Sequence, residues 1–543
     1  MKEWIRKIAI SLMILLTLMI TIEYESSRND MKEKLPENYN NVYKTKKLII
    51  GRANDSLGLD PANVTDIDSL RVTSNIFETL VKYEKEGKEI IPGLAASYKY
   101  SEDGLVFTFR LRQGVKFHDG TAFDADAVVF NFRRWMDKDN IYHNGEFEYY
   151  NYVFNGFPGI IKEVTAVNNY TVEIKLNKPY APFLSSLAMP VFGIASPDSI
   201  KEYKNDVYKH PVGTGPFMLK SWKPNESITL IKNNEYYGIK AKVDEIEFKV
   251  IPSDKDRIEQ LKQGNIHIAD DINPDDAAAI KNETDYRLIL RPCLNVSYIA
   301  LNNEKLPFSK KDVRTAISYA IDKDDLIKQV YSDFAKPAKT FIPPLFIGYD
   351  DGIDKREYDI KKAKELLKKA GYSKGFKTTL WVMNSSRSYM PKPLETAMYI
   401  KNSLSKVNIN VTVKTLNWSE YLNRIKNGEH EMALIGWSGD NMDPDNFLYT
   451  LLSSQNAKHG VASNYSFYKN NDVDMLLTQA RQTNDTEFRK LLYKKVLAII
   501  NDDMPSIPLT HNMPVIVANP CVKGYVPSMT MNESLENVDI EFR

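Results

Sequence analysis

"EMALIGWSGDNMDPDNF", residues 431–447, passes from an apolar run into a loop crowded with charge. Met432-Ala433-Leu434-Ile435 reads as a buried strand. The eleven residues from Gly436 to Asn446 hold three acids, two asparagines, two glycines, a proline and a tryptophan. A metal site, a catalytic acid or a ligand clamp would each put carboxylate at the end of such a strand.

Elements alternate on the N-terminal side of this stretch. A strand is expected at 378–383, a helix at 392–406, a strand at 411–413, a helix at 419–426 and the strand at 432–436. Strand and helix in turn indicate an α/β lobe built on a mixed sheet. Further back, 312–331 reads as one amphipathic helix. "YDIKKAKELLKKAGY" is another, with Asp359 as N-cap and Gly371 as its stop. The first half is richer in strands. "KLIIGRAND" (47–55) is a buried strand entering a loop. From Asp68 a helical spacing turns Leu70, Ile76, Phe77 and Leu80 inward. Residues 101–120 form a hairpin signalled by Asp103-Gly104, and Asp124 caps the helix that follows. Residues 254–271 read as helix, glycine stop and strand. "GTGPF" (213–217) lacks the Gly-Lys-Ser/Thr ending of a phosphate loop and reads as a turn between strands. Short strands return near 508–509 and 515–517. A β-rich first half, an α/β second half and a β-rich tail fit a two-lobed protein whose tail rejoins the first lobe.

The chain has 543 residues, 43% hydrophobic and 26% charged, with a net charge of +1. That length calls for two or three domains. The charge balance gives no long-range attraction for nucleic acid or acidic membrane. The two cysteines, Cys293 and Cys521, exclude a disulfide scaffold and a cysteine-rich metal site. Lys2, Arg6 and Lys7 precede an apolar stretch from Ile8 to Ile22 that Glu23 ends. This is the pattern of an export signal. As a helix the stretch spans about 22 Å, short of the roughly 30 Å hydrocarbon core. Residues 1–22 are therefore read as a signal peptide or N-terminal anchor, and 23–47 as a polar tether.

Several chemistries lack their residues. The seven histidines are scattered, with no pair at helical i, i+4 spacing, and "HEM" at His430 is not a zinc motif. Neither a Gly-x-Ser-x-Gly elbow nor a Gly-x-Gly-x-x-Gly after a strand occurs. Read as a calcium loop from Asn441, the quoted segment has Asn446 where glycine is required and Leu452 where a bidentate glutamate is required. One loop cannot set an acid and a nucleophile on opposite faces of a sugar bond. No catalytic residue, metal or cofactor is therefore assigned.

"PGLAASYKYSEDGLVFTFRLRQGVKFHDGTAFDADAVVFNF" (92–132) resembles the signature of the peptide-binding proteins of ABC importers, extracellular solute-binding protein family 5. So do "GTGPFMLKSW", "LNVSYIALNNEKLPFSKKDVRTAISYAIDKDDLI" and "GYDDGIDKREYDIKKAKELLKKAGY". "GWSGDNMDPDNF" is most similar to the dipeptide-binding branch. The resemblance runs from about Leu48 to the C-terminus. It implies an α/β, bilobed, periplasmic-binding-protein-like fold with two mixed-sheet lobes, an extra subdomain in lobe I and a two-strand hinge. It also implies no catalytic step, and delivery of peptide to the permease subunits of an ABC transporter. Boundaries follow as 48–292 for lobe I with the extra subdomain at about 86–208, 293–508 for lobe II, and 509–543 for the return to lobe I. The hinge strands lie near "CLNVSYI" and "SIPLTHN".

In the dipeptide-binding branch an aspartate of the Gly-Trp-x-Gly-Asp motif pairs with the ligand's α-ammonium, and an arginine in a Trp-x-Met-x-x-x-Arg context pairs with its carboxylate. These correspond to Asp440 and, in "WVMNSSRSYMP", Arg387. A dipeptide is a zwitterion, and burying either end unpaired costs several kcal/mol. One carboxylate and one guanidinium neutralise both ends, and their separation acts as a length ruler. Gly439 then permits close backbone approach, Trp437 supplies an apolar wall, and Ser438 and Tyr389 line the same pocket. Asp443 and Asp445 cap the helix that follows. The family's lipoproteins carry a cysteine at the end of the signal, where this chain has Ile22-Glu23. The expectation is a monomer outside the cytoplasmic membrane that binds a small peptide and no nucleic acid. Glutathione, haem or a nickel complex in the same fold, a peptide sensor, and an exported hydrolase stand as alternatives.

Overall fold

The computed structural model describes residues 45–84 and 89–541. The signal or anchor at 1–22 and nearly all of the tether at 23–47 lie outside the described residues. Among the described residues, no helix is long and apolar enough to cross a membrane.

Two large mixed sheets organise the molecule. In the first, Lys47–Arg52 is central, parallel to Glu245–Val250 on one side and to Ile268–Ile272 on the other. Ser227–Lys232 and Phe217–Lys223 extend it antiparallel beyond Glu245–Val250. On the far side the C-terminal strand Val515–Ala518 inserts between Ile268–Ile272 and Arg287–Leu290. Side chains alternate between the two faces. Ile50, Ile268 and Ile516 join one core, while Ala269, Val515 and Val517 join the other. Val515–Ala518, in the interior of the sheet and covered on both faces, reads as an unbroken apolar run, while Glu245–Val250 alternates apolar and charged residues.

The second sheet runs, in spatial order, Ala335–Pro337, Ser506–Asn512, Asn295–Leu301, Met432–Ser438, Phe376–Met383 and Ile409–Leu416. Its core reaches from Leu294 to Leu509 without drawing on the first half of the chain. The central strands Asn295–Leu301 and Ser506–Asn512 are buried at every position. They pair antiparallel, as do the strands that continue them in the first sheet, Arg287–Leu290 and Val515–Ala518. The chain thus crosses between lobes twice, side by side, through residues 291–294 and 513–514. Each crossing contains a proline, Pro292 and Pro514, which cannot donate to a ladder.

A four-stranded antiparallel sheet, Ala95–Tyr100, Val106–Leu111, Thr171–Leu176 and Ile161–Asn168, forms a further body with its own aromatic core. The helix Ala125–Met136 packs on it and is capped by Asp124, whose carboxylate accepts from the amide of Ala127 at 3.0 Å. The short helix Glu148–Phe154 from this body faces the second lobe.

Three local expectations need correction. Residues 312–331 form two helices, Lys311–Tyr319 and Lys323–Val330. Asp322 is extended and caps the second through the amide of Asp325 at 3.0 Å, so a capping signal interrupts a continuous apolar period. The helix near Asp68 is only Ile67–Thr73. Beyond it Asn75 donates to the carbonyls of Arg71 and Glu533, turning the chain while Ile76, Phe77 and Leu80 stay buried. "GTGPF" joins the turn of helix Lys204–Lys209 to the strand Phe217–Lys223 and does not link two strands. Its glycines lie against the backbone of Ile76, where a Cβ on Gly215 would sit 2.7 Å from the carbonyl oxygen.

Candidate functional site

A cleft of about 1620 Å³ opens between the lobes, with Asp440, Arg387, Trp437, Ser438, Gly439 and Tyr389 all on its lining. The strand Met432–Ser438 delivers the aspartate. It leaves the sheet beside the first crossing, where the amide of Gly439 donates to the carbonyl of Leu294 at 2.7 Å. The next residue, Asp440, is 7% exposed. One carboxylate oxygen accepts from the Tyr149 hydroxyl at 2.9 Å, the other from the Asn446 side-chain amide at 3.0 Å. Asn446 also takes the Asp440 amide at 3.1 Å and the Trp437 indole N–H at 3.0 Å, so one asparagine fixes the whole turn. Among the described residues no lysine or arginine pairs with Asp440. Burial pushes its pKa up to about 6, against the pull of the Asn446 and Tyr149 hydrogen bonds.

Arg387 sits in the loop after the strand Phe376–Met383, closed by reciprocal backbone bonds with Met390 at 3.1 and 2.8 Å. Its guanidinium lies 3.7 Å from the centroid of the Trp418 ring. This stacking orients the cation without neutralising it. Its Nε is buried with no protein partner, and no carboxylate among the described residues pairs with it. Burial draws its pKa below the ordinary value, opposed by Tyr389. On this wall of the cleft a carboxylate and a guanidinium thus each lack a counter-ion among the described residues.

The neighbouring positions have distinct roles. Tyr389 is 7% exposed, and its hydroxyl has no hydrogen-bond partner among the described residues. Its ring packs against Gly436, where any Cβ would overlap it and stand 2.6 Å from the Val296 carbonyl oxygen. Gly439 makes room for the protein itself: a Cβ there would lie 2.7 Å from Phe447 and 2.9 Å from Leu294. The close approach expected of Gly439 is thus to its own core. Ser438 is exposed to the cleft and shares a hydrogen bond with Ser388 at 3.0 Å. Trp437 is half-buried, 6.1 Å centroid to centroid from Tyr152 across the cleft.

The two acids beyond Asp440 separate. The carboxylate of Asp443 accepts from the amide of Asp445 at 3.0 Å, a capping bond, and is also gripped by both terminal nitrogens of Arg489 at 2.8 and 2.9 Å. Asp445 does not cap. It begins the helix Asp445–Leu452 and pairs with Arg481 at 3.3 Å. Neither is free for a ligand.

Contacts from the first lobe close over this loop. Besides Tyr149, Tyr83 accepts the Met442 amide at 2.9 Å, Tyr152 bonds Thr450 at 2.6 Å, and Ala181 donates to the Arg481 carbonyl at 2.7 Å. On the opposite wall, Arg71 bridges Asp270 and Asp271, and Arg291 bridges Asp270 and Glu533. Tyr149, Tyr152, Asn446 and Trp418 were not foreseen as site residues. Asn446 stands within the quoted loop, where a second asparagine was a usable signal. The tyrosines lie some 290 positions away in sequence from their partners and have no local signature.

Residues 89–459 match the family described as bacterial extracellular solute-binding proteins, family 5 Middle. The dipeptide-binding protein of Escherichia coli is 37% identical over 484 residues, covering 86% of this chain and 89% of its own. Heme-binding protein A of Haemophilus influenzae is 35% identical, covering 89% and 90%. Among solved structures, the ABC transporter-associated periplasmic binding protein of Helicobacter pylori in complex with peptide STSA is 37% identical with a TM-score of 0.79, covering 92% of this chain and all of that one. The dipeptide-binding protein of Pseudoalteromonas sp. SM9913 in complex with Met-Leu is 27% identical with a TM-score of 0.80, covering 91% and 100%. With a two-lobed fold, a cleft between the lobes and a family match over most of its length, this chain belongs to the bacterial extracellular solute-binding proteins of family 5.

Proposed function

We propose that the chain captures short peptides, dipeptides foremost, in the cleft between its lobes outside the cytoplasmic membrane, and delivers them to the permease of an ABC importer. One observation carries this reading. Asp440 and Arg387 line one cleft, and neither has a counter-ion among the described residues. A zwitterion supplies both counter-ions at once: its ammonium meets Asp440 and its carboxylate meets the guanidinium stacked on Trp418. No covalent step belongs to this reading, and the chain acts as a receptor rather than an enzyme. Export through the basic and apolar N-terminal segment is part of it.

Relatives described with Met-Leu and with STSA bracket the ligand length. Titration calorimetry of the 45–543 chain with di-, tri- and pentapeptides, glutathione and haem tests the assignment. Dipeptides should bind tightest. Arg387→Ala should weaken them about 100-fold or more, since removing one partner of a desolvated pair leaves the other charge buried. C-terminally amidated peptides should lose little further affinity in that variant. Equal binding of all peptide lengths, or tighter binding of glutathione or haem, would assign the cleft to another solute.

A further inference from the structure

We propose that Asn512, at the end of the second hinge strand, is a third ligand contact: its side-chain oxygen accepts the peptide N–H between the two charged ends. This rests on the peptide reading above and names a residue that sequence motifs do not mark. Asn512 is 3% exposed and lines the cleft. Its side-chain nitrogen donates to the Ser388 carbonyl at 2.6 Å. A carbonyl only accepts, so this bond fixes which end of the amide is which. The other end, Oδ1, is buried and has no hydrogen-bond partner among the described residues.

The placement is central to the clamp. Ser388 follows Arg387, and its hydroxyl meets that of Ser438, two residues before Asp440, at 3.0 Å. Asn295 lies opposite Ser438 in the sheet and bonds Asn512 on the neighbouring strand through its side chain. Its side-chain oxygen accepts from the Asn512 backbone amide at 2.9 Å and its side-chain nitrogen donates to the Asn512 backbone carbonyl at 2.8 Å. Asn512 is therefore held through its backbone and its side-chain nitrogen, while its side-chain oxygen has no partner among the described residues. A dipeptide stretched between Asp440 and Arg387 carries one peptide N–H at its middle, and that donor loses water when the cleft closes. A buried donor and a buried acceptor left apart each cost free energy, and paired they remove both costs. Because Asn512 directly precedes the 513–514 crossing, the same residue joins the ligand, the Arg387 loop and the hinge.

The test compares a dipeptide with its depsipeptide analogue, in which an ester oxygen replaces the peptide N–H, by calorimetry on the native protein and on Asn512→Ala. The native protein should bind the ester about tenfold more weakly, and in Asn512→Ala the amide and ester should agree within about twofold. A residue that only positions the Arg387 loop would weaken both ligands together and keep the ester penalty. Equal binding of amide and ester to the native protein, or an undiminished penalty in the variant, would overturn the proposal while leaving the peptide reading intact. Failure of the native protein to bind any peptide would overturn both.

Discussion

At Asp440 the cost of burying a charge and its use in binding fall on one carboxylate. Its pKa stands near 6, above the ordinary 3.8. The folded free protein therefore takes up this proton more readily than the unfolded chain does. Its contribution favours folding at low pH and is lost as pH rises from 3.8 through about 6. Asp440→Asn removes that loss, so the ligand-free variant should melt no lower than the native protein at pH 7 to 8 while losing peptide affinity. Tyr149, Tyr152 and Asn446 face the carboxylate and bring no positive charge. Peptide affinity of the native protein should accordingly fall below about pH 6, by up to about tenfold per unit as a single proton competes with the ammonium. Calorimetry and thermal melts across that range check both signs.

At the scale of elements, the strand Met432–Ser438 and its loop are shaped by packing as much as by the ligand. Gly436→Ala would drive a methyl group into Tyr389 and the Val296 carbonyl. It should cost about 1–3 kcal/mol, read by urea denaturation, and weaken peptide binding by displacing Tyr389 from the cleft wall. Arg489→Ala leaves Asp443 buried with only the Tyr493 hydroxyl and the Asp445 amide for company. About 3–5 kcal/mol of stability should be lost, with the same denaturation readout. The apolar runs, Asp359 with Gly371, and the turn at Asp103-Gly104 were legible because their signals are local, whereas the hairpin expected over 101–120 pairs Ala95–Tyr100 with Val106–Leu111, its first strand lying before the turn. The break at Asp322 was misread because a short polar cap interrupts an intact apolar period. Asp445 was misread as a cap because its partner Arg481 lies 36 positions away in sequence.

At the scale of the whole molecule, alternating elements and a returning tail were enough to indicate two lobes, and the quoted motifs indicated the family. The side of the cleft built by the first lobe was not legible. Tyr149 and Tyr83 reach the Asp440 loop through tertiary placement alone. Because both lobes contribute contacts, ligand should bind the closed form and stabilise it against unfolding. A hundredfold excess over Kd should add about 2.7 kcal/mol, seen as a higher melting temperature with dipeptide and no rise with Asp440→Asn.

The insertion of Val515–Ala518 between Ile268–Ile272 and Arg287–Leu290 also sets an order of assembly. The second lobe is a continuous segment that holds its own core by residue 509. The first sheet lacks an interior strand until the last few dozen residues arrive. A chain that emerges N-terminus first would complete its later half while the earlier half still waits for its keystone. Premature termination just before residue 515 should therefore leave a folded second lobe attached to an unclosed first one.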